Sequence, residues 1–152
     1  RYPGCAVDTP NHAYSFSIGR RYRWTSYFSP RDQIFDYMRG VADEFGVRPF
    51  IRFRTEVTAA RWDESRRRWL VDLKTPQGNE TLETESLVSA IGQFGLPHLP
   101  RIEGDDSFTG PKFHTSDWPD QLDLSGKRVA IIGTGASAMQ IVPAIAGEVA
   151  QL

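Results

Sequence analysis

The chain has 152 residues, with 18 Lys and Arg against 19 Asp and Glu for a formal net charge of -1. That balance offers no bulk attraction to nucleic acid or to an anionic membrane, and it excludes a general polyanion binder. The single cysteine, Cys5, leaves no internal disulfide framework and no C-x-x-C redox pair. No run approaches the roughly 18 apolar residues of a spanning helix. The lone cysteine also makes the cytoplasm the expected location. There is no initiator Met, and the sequence stops at Leu152 inside a helical pattern. The expectation is therefore a piece of a longer chain, able to bury one modest core.

Residues 1–28 are dense in aromatics, Pro and Gly and show no helical period. They read as an ordered loop whose rings pack against protein or a flat ligand. Asp8 lies in this apolar company as either a surface turn acid or a functional carboxylate. Ser29 as N-cap, Pro30 at the first position and Asp32 at the positive end of the dipole open a helix. In it Ile34, Phe35, Met38, Val41, Ala42 and Phe45 predict one buried face, and Gly46 is placed to end it.

A strand, PFIRFR, is predicted next. EVTAARWD and RRWLVDLKT then flank the turn DESR, and the turn PQGN leads into ETLETES. Their alternation predicts an antiparallel meander with one wet face, whereas LVSAIG is apolar throughout and fits a parallel strand buried on both sides. The basic clusters IRFRT and ESRRRW read as solvated strand faces and a turn.

Residues 92–124 are broken by Gly and Pro yet too rich in Trp, Phe and His for a floppy tether. From Ser125 onward the strand KRVAIIG runs into Gly133, Gly135 and Ala138 in G-x-G-x-x-A spacing, and a helical pattern follows. Ala138, Met139, Ile141, Val142, Ile145, Ala146 and Val149 give that helix a broad apolar face, with Pro143 predicted to kink it. Gly133 allows the tight turn, Gly135 lets backbone approach a pyrophosphate, and Ala138 lets the helix sit close to the sheet. The pyrophosphate would meet free N–H groups at the helix N-terminus, with Thr134 and Ser137 adding hydroxyls. A dinucleotide site is preferred to a merely structural turn because strand precedes and helix follows. The residue that separates NAD from NADP falls beyond Leu152.

His114 reads first as a hydrogen-bonded residue that fixes its loop, and second as an acid or base. No metal is expected, since His12, His98 and His114 have no ligand spacing.

These residues together carry a resemblance. F-x-G-x-x-x-H-x-x-x-W-P, present as Phe108, Gly110, His114, Trp118 and Pro119, resembles the fingerprint of the Baeyer-Villiger monooxygenases. RYPGCAVDTPNHAYSFS is similar to their flavin-lining segment, with wording closest to 4-hydroxyacetophenone monooxygenase-type members. The resemblance implies an α/β fold, part of a Rossmann-like flavoprotein with two dinucleotide-binding domains and an antiparallel meander in the FAD domain. It implies domains at 1–97 (the C-terminal part of the FAD domain), 98–124 (the linker with the fingerprint) and 125–152 (the start of the NADP domain). Asp8 falls on the family's active-site aspartate, Tyr14 on a flavin-contacting tyrosine and Val57 on a position meeting the adenine. Ala90-Ile91-Gly92 stands where the family usually has A-T-G, keeping the glycine beside the flavin. Gly133, Thr134, Gly135, Ala136, Ser137, Ala138 and Gln140 match the NADP pyrophosphate turn. The implied cofactors are FAD and NADPH, and the implied reaction is insertion of one atom of O2 into a ketone, through a peroxyflavin, to give an ester or lactone. The family's first G-x-G-x-x-G and its active-site arginine are not among these 152 residues, so the expectation is that this piece alone is inactive. The alternatives are an N- or S-oxygenating flavin monooxygenase and a non-catalytic nucleotide-binding fragment.

Overall fold

The computed structural model describes residues 2–19, 22–92 and 94–152. Arg1 of the opening R-Y-P-G run lies outside the described residues. The elements are α1 Arg31–Glu44, β1 Glu56–Asp63, β2 Arg68–Thr75, β3 Gly78–Thr84 and α2 Ala136–Ile145. They fall into two units: one holds residues 1–41 and 94–152, the other residues 42–93.

In the first unit, the opening i→i−4 bond of α1 runs from the Ile34 N–H to the Pro30 carbonyl at 3.3 Å. Pro30 rather than Ser29 therefore takes the cap position. Ser29 is fully buried, and its hydroxyl is held by other side chains: it accepts from Asn11 Nδ2 at 2.7 Å and donates to Gln33 Oε1. The buried face of α1 is Ile34, Tyr37 and Val41, whereas Phe35, Met38 and Phe45 stay 46–47% exposed. Tyr37 wins this competition because the incoming loop satisfies its hydroxyl, which accepts from the Phe16 N–H at 2.7 Å. Its ring also lies among Phe16, Tyr22 and Trp24. The same unit has a core of Leu124, Ile141 and Ile145, against which Tyr2, Trp118 and Val129 pack. Met139, expected on that face, is 74% exposed. α2 runs unbroken through Pro143.

KRVAIIG forms only the start of a ladder. Arg128 makes a parallel bridge with Gln151, supported by Val129 N–H to Gln151 O at 2.9 Å and Ala150 N–H to Lys127 O at 2.8 Å. The bridge at Arg128, α2 and the parallel return at Gln151 thus follow in the order of a crossover unit.

The second unit begins at the end of α1, where the Val47 N–H bonds the Ala42 carbonyl at 2.8 Å and the Gly46 N–H bonds that of Asp43 at 3.1 Å. This paired arrangement stops the helix at Gly46, as the sequence predicts. The sheet is a meander of order β1-β2-β3, with Val71 and Leu73 of the central strand buried. Trp62 and Trp69 are cross-strand partners, their rings edge-on at 5.6 Å. A bulge between Val57 and Ala59 interrupts the β1-β2 register.

Two predicted strands do not form. PFIRFR becomes a single 3-10 turn, Arg48–Phe50, followed by coil, and LVSAIG is coil throughout. A strand exists through its partners. Among the described residues none pairs with 87–92, leaving Val88 84% and Ile91 87% exposed. No helix among the described residues is long and apolar enough to cross a membrane.

Candidate functional site

The turn ahead of α2 has the geometry its spacing asks for. Gly133 takes φ +124°, a conformation that side chains rarely adopt. A Cβ at Gly133 or Gly135 would meet nothing within 4 Å, so the turn faces open space. Gly135 is the N-cap of α2 in extended conformation, with no side-chain cap and no acidic residue in the first turn. The leading N–H groups of α2 are thus uncapped by any side chain and face no competing carboxylate, which suits an anion at the positive end of the dipole.

Gln140, five residues past Gly135, turns away from that role. Its Nε2 donates to the Ala6 carbonyl at 2.9 Å, and its Oε1 accepts from the Ala6 N–H at 3.3 Å and from the Tyr2 hydroxyl at 2.9 Å. The segment from Tyr2 to Ala6 is laid onto α2 by these bonds. The close fit needs Gly4, where a Cβ would stand 2.7 Å from the Gln140 carbonyl oxygen. Burial pushes the Tyr2 phenol above its ordinary 10.0; the Ser137 hydroxyl opposes the shift, and Cys5 and the charge of Asp8 add to it. Asp8 itself is exposed in a bend, two residues beyond Ala6. Tyr14 is 49% exposed and closes a turn through its N–H to the Pro10 carbonyl at 3.0 Å.

The loop at 108–119 is built around its fixed residues. A Cβ on Gly110 would stand 2.7 Å from the Phe108 ring, which explains the F-x-G step as a close approach. His114 caps a 3-10 turn, Thr115–Asp117, by accepting from the Ser116 N–H at its Nδ1. An accepting Nδ1 puts the ring proton of the neutral imidazole on Nε2. Trp118 then lies edge-on to Phe113 at 5.1 Å and packs on the core that holds α2. Pro119 follows outside any helix or strand.

A segment with one parallel bridge at Arg128, a glycine turn with an open mouth and a helix, tied to a second motif through Gln140 and a third through Trp118, can be set beside known proteins. Residues 16–152 match the family model described as FMO-like, flavin-binding monooxygenase-like. The chain belongs to that family. A Baeyer-Villiger monooxygenase of Streptomyces coelicolor is 46% identical over 99% of this chain and 28% of its own length. Among solved structures, the OTEMO complex with FAD and NADP matches with a TM-score of 0.85 at 38% identity, covering 98% of this chain and 30% of that one. Cyclohexanone monooxygenase from Rhodococcus sp. Phi1, bound to NADP+, matches with a TM-score of 0.84 at 36% identity, covering 98% and 28%. The chain thus spans under a third of the length of these relatives. The α/β fold class holds, and its neighbours have two dinucleotide-binding domains.

In this flavin-binding monooxygenase-like chain, the remaining candidates lie in the other unit. Val57 is 57% exposed beside the bulge, Ala90 is in exposed coil, and Gly92 is exposed with φ +70°. A surface depression is lined by Arg54, Thr55, Glu56, Lys74, Thr75 and Pro76, none of them a candidate. Sequence reasoning missed Tyr2 and Gly4 as partners of Gln140. Their only signal was a glycine and a ring in a motif already assigned to another task.

Proposed function

We propose that this chain forms part of an FAD- and NADPH-dependent monooxygenase that inserts one oxygen atom of O2 beside a ketone carbonyl, giving an ester or lactone. Its substrates would be a small-molecule ketone and O2, and its setting the cytoplasm. The observation that carries this reading is the closure of the Asp8 segment onto the helix that follows the dinucleotide turn, within one unit that also holds the fingerprint loop. We assign 1–97 to the FAD domain, 98–124 to the linker and 125–152 to the start of the NADP domain.

When bound, NADPH supplies the hydride and the flavin the electrons that activate O2. The uncapped N–H groups that open α2 bind the pyrophosphate, with Gly133, Thr134, Gly135, Ala136, Ser137 and Ala138 forming the cradle. Asp8 holds a cationic side chain from elsewhere in the protein beside the developing negative oxygen. Tyr14 flanks the flavin. Val57 meets the adenine of FAD, and Ala90 and Gly92 pass the flavin, on the T-x-V step and the A-x-G ending alone. His114 and Trp118 hold the linker, excluding water by order rather than by chemistry.

The test uses the full-length protein, loaded with FAD and given NADPH, isotopically heavy O2 and either an aryl ketone or a thioether. Heavy oxygen in an ester supports the reading. Label only in a sulfoxide favours the S-oxygenating alternative, and no flavin retention favours a nucleotide-binding role without turnover. Asp8→Ala is expected to lower ketone oxygenation about 10²-fold, in the range of a lost oxyanion donor.

A further inference from the structure

Gln140 is a long polar side chain on a helix with an apolar core face, and its amide is spent within the protein. Both ends of that amide engage one residue of the chain, on the peptide groups either side of its Cα: Nε2 to the Ala6 carbonyl at 2.9 Å and Oε1 to the Ala6 N–H at 3.3 Å. Tyr2, on the near side of Gly4, fills the second acceptor position on Oε1 at 2.9 Å. The segment so held is itself anchored on its other edge. Ala6 bridges to Pro30, the Val7 N–H bonds the Ser29 carbonyl at 3.0 Å, and the Arg31 N–H bonds the Cys5 carbonyl at 2.9 Å. Ala6 is thus gripped between the start of α1 and α2.

The position along the helix matters. Gln140 is five residues past Gly135, about 7.5 Å along the axis, so a shift of the first turn of α2 reaches the Ala6 peptide through one rigid helical step. Asp8 follows two residues later, with no glycine between to absorb the motion. We propose that Gln140 is a positioning residue that couples occupancy of the glycine turn to the placement of the Asp8 segment. This rests on the monooxygenase reading, because only there do the two ends serve one reaction. The amide suits the task because its donor and acceptor match the carbonyl and N–H of one extended residue in a single register.

The experiment uses the full-length holoprotein and its Gln140→Leu, Gln140→Glu and Tyr2→Phe variants. Hydrogen exchange on the peptide spanning residues 2–8 is followed with and without NADP+. In the wild type NADP+ slows exchange there. In Gln140→Leu that response is lost while NADP+ still binds within about threefold of wild type, since the cradle is untouched. In turnover, the KM for NADPH holds while kcat for ketone oxygenation falls about 10-fold to 100-fold, the scale of a small misplacement. Gln140→Glu separates coupling from packing. As a carboxylate it repels the Ala6 carbonyl; protonated, it regains a donor, so its kcat relative to wild type recovers as the pH falls. The Leu variant shows no such recovery. Tyr2→Phe, which leaves both Ala6 bonds, keeps the exchange response.

Should Gln140→Leu fail to hold flavin, the pH recovery of Gln140→Glu decides the matter. An unchanged exchange response in Gln140→Leu, a loss confined to KM, or a Gln140→Glu variant without pH recovery overturns the proposal. A wild-type holoprotein whose flavin is not bleached by NADPH overturns the functional reading itself, and the coupling with it.

Discussion

Gly4 lies so close to Gln140 that no other residue fits between the two segments: a Cβ on Gly4 would stand 2.7 Å from the Gln140 carbonyl oxygen and 3.1 Å from the Ala144 Cβ. Backbone against helix cannot yield as a side-chain tip can, and the φ of +74° at Gly4 adds its own strain. Gly4→Ala in the full-length protein should therefore cost about 1–3 kcal/mol, the usual range for overpacking. Denaturant titration reads this as a lower midpoint at unchanged slope. A midpoint equal to wild type would mean that the helix and the segment around Gly4 do not meet.

The core beneath α2 gives a contrast within one helix. Ile141 and Ile145 are 0% and 1% exposed, whereas Met139 is 74% exposed. Ile141→Ala and Ile145→Ala should each cost about 2–5 kcal/mol, from lost transfer energy and the cavity left behind. Met139→Ala should stay within about 0.5 kcal/mol. Equal losses at all three positions would refute the assigned face.

His114 serves as a cap through Nδ1, so the feature that matters is an acceptor at that place. His114→Ala should lose about 0.5–2 kcal/mol, the range measured for lost caps, while His114→Asn keeps an acceptor and most of the stability. If His114→Asn also leaves the rate of flavin reduction unchanged, the residue takes no part in proton transfer. A collapse of that rate in a well-folded Asn variant would restore it as an acid or base.

Stability should fall at both ends of the pH scale, for opposite reasons. Asp72 is held below the ordinary 3.8 by the Thr81 hydroxyl first and then by Arg61; the Ser65 hydroxyl and the Arg66 N–H do the same for Asp63. A carboxyl held low binds fewer protons folded than unfolded. Its contribution is whole above 3.8 and is lost as the pH falls through the lower folded value. Tyr2, raised above 10.0, contributes fully below that value and ceases to as the pH rises through its folded one. Thermal midpoints should thus be flat between, with Asp72→Asn softening the acid edge and Tyr2→Phe the alkaline edge. Edges that do not move in these variants would remove the groups from the account.

The meander was legible because its information is local: alternation along β2, and turns at DESR and PQGN, fix three strands between neighbours. α1 was legible in span and stop, yet its buried face was misread by favouring Phe35 and Met38 over Tyr37. The choice depends on an N–H from Phe16, 21 residues away in sequence, which helical periodicity cannot weigh. PFIRFR and LVSAIG have strand composition and no partner among the described residues, so composition alone overstated them. At the site, the turn at 133–138 and the loop at 108–119 could be read from spacing. The destination of Gln140 could not, since its partners lie 134 and 138 residues upstream and leave no periodic trace.

That separation also sets a timetable for synthesis. Ala6 leaves the ribosome 134 residues before Gln140, which at about 5–20 residues per second is a delay of roughly 7–27 s. Through that interval the segment around Tyr2, Gly4 and Ala6 has its α1 edge to lean on and no α2. Nascent chains stalled short of Ala136 should be cleaved readily between Tyr2 and Val7, and chains that have cleared Gln140 should resist. The amide that joins the two motifs in the finished protein is therefore also a contact that the segment around Ala6 makes only after its bonds to the start of α1.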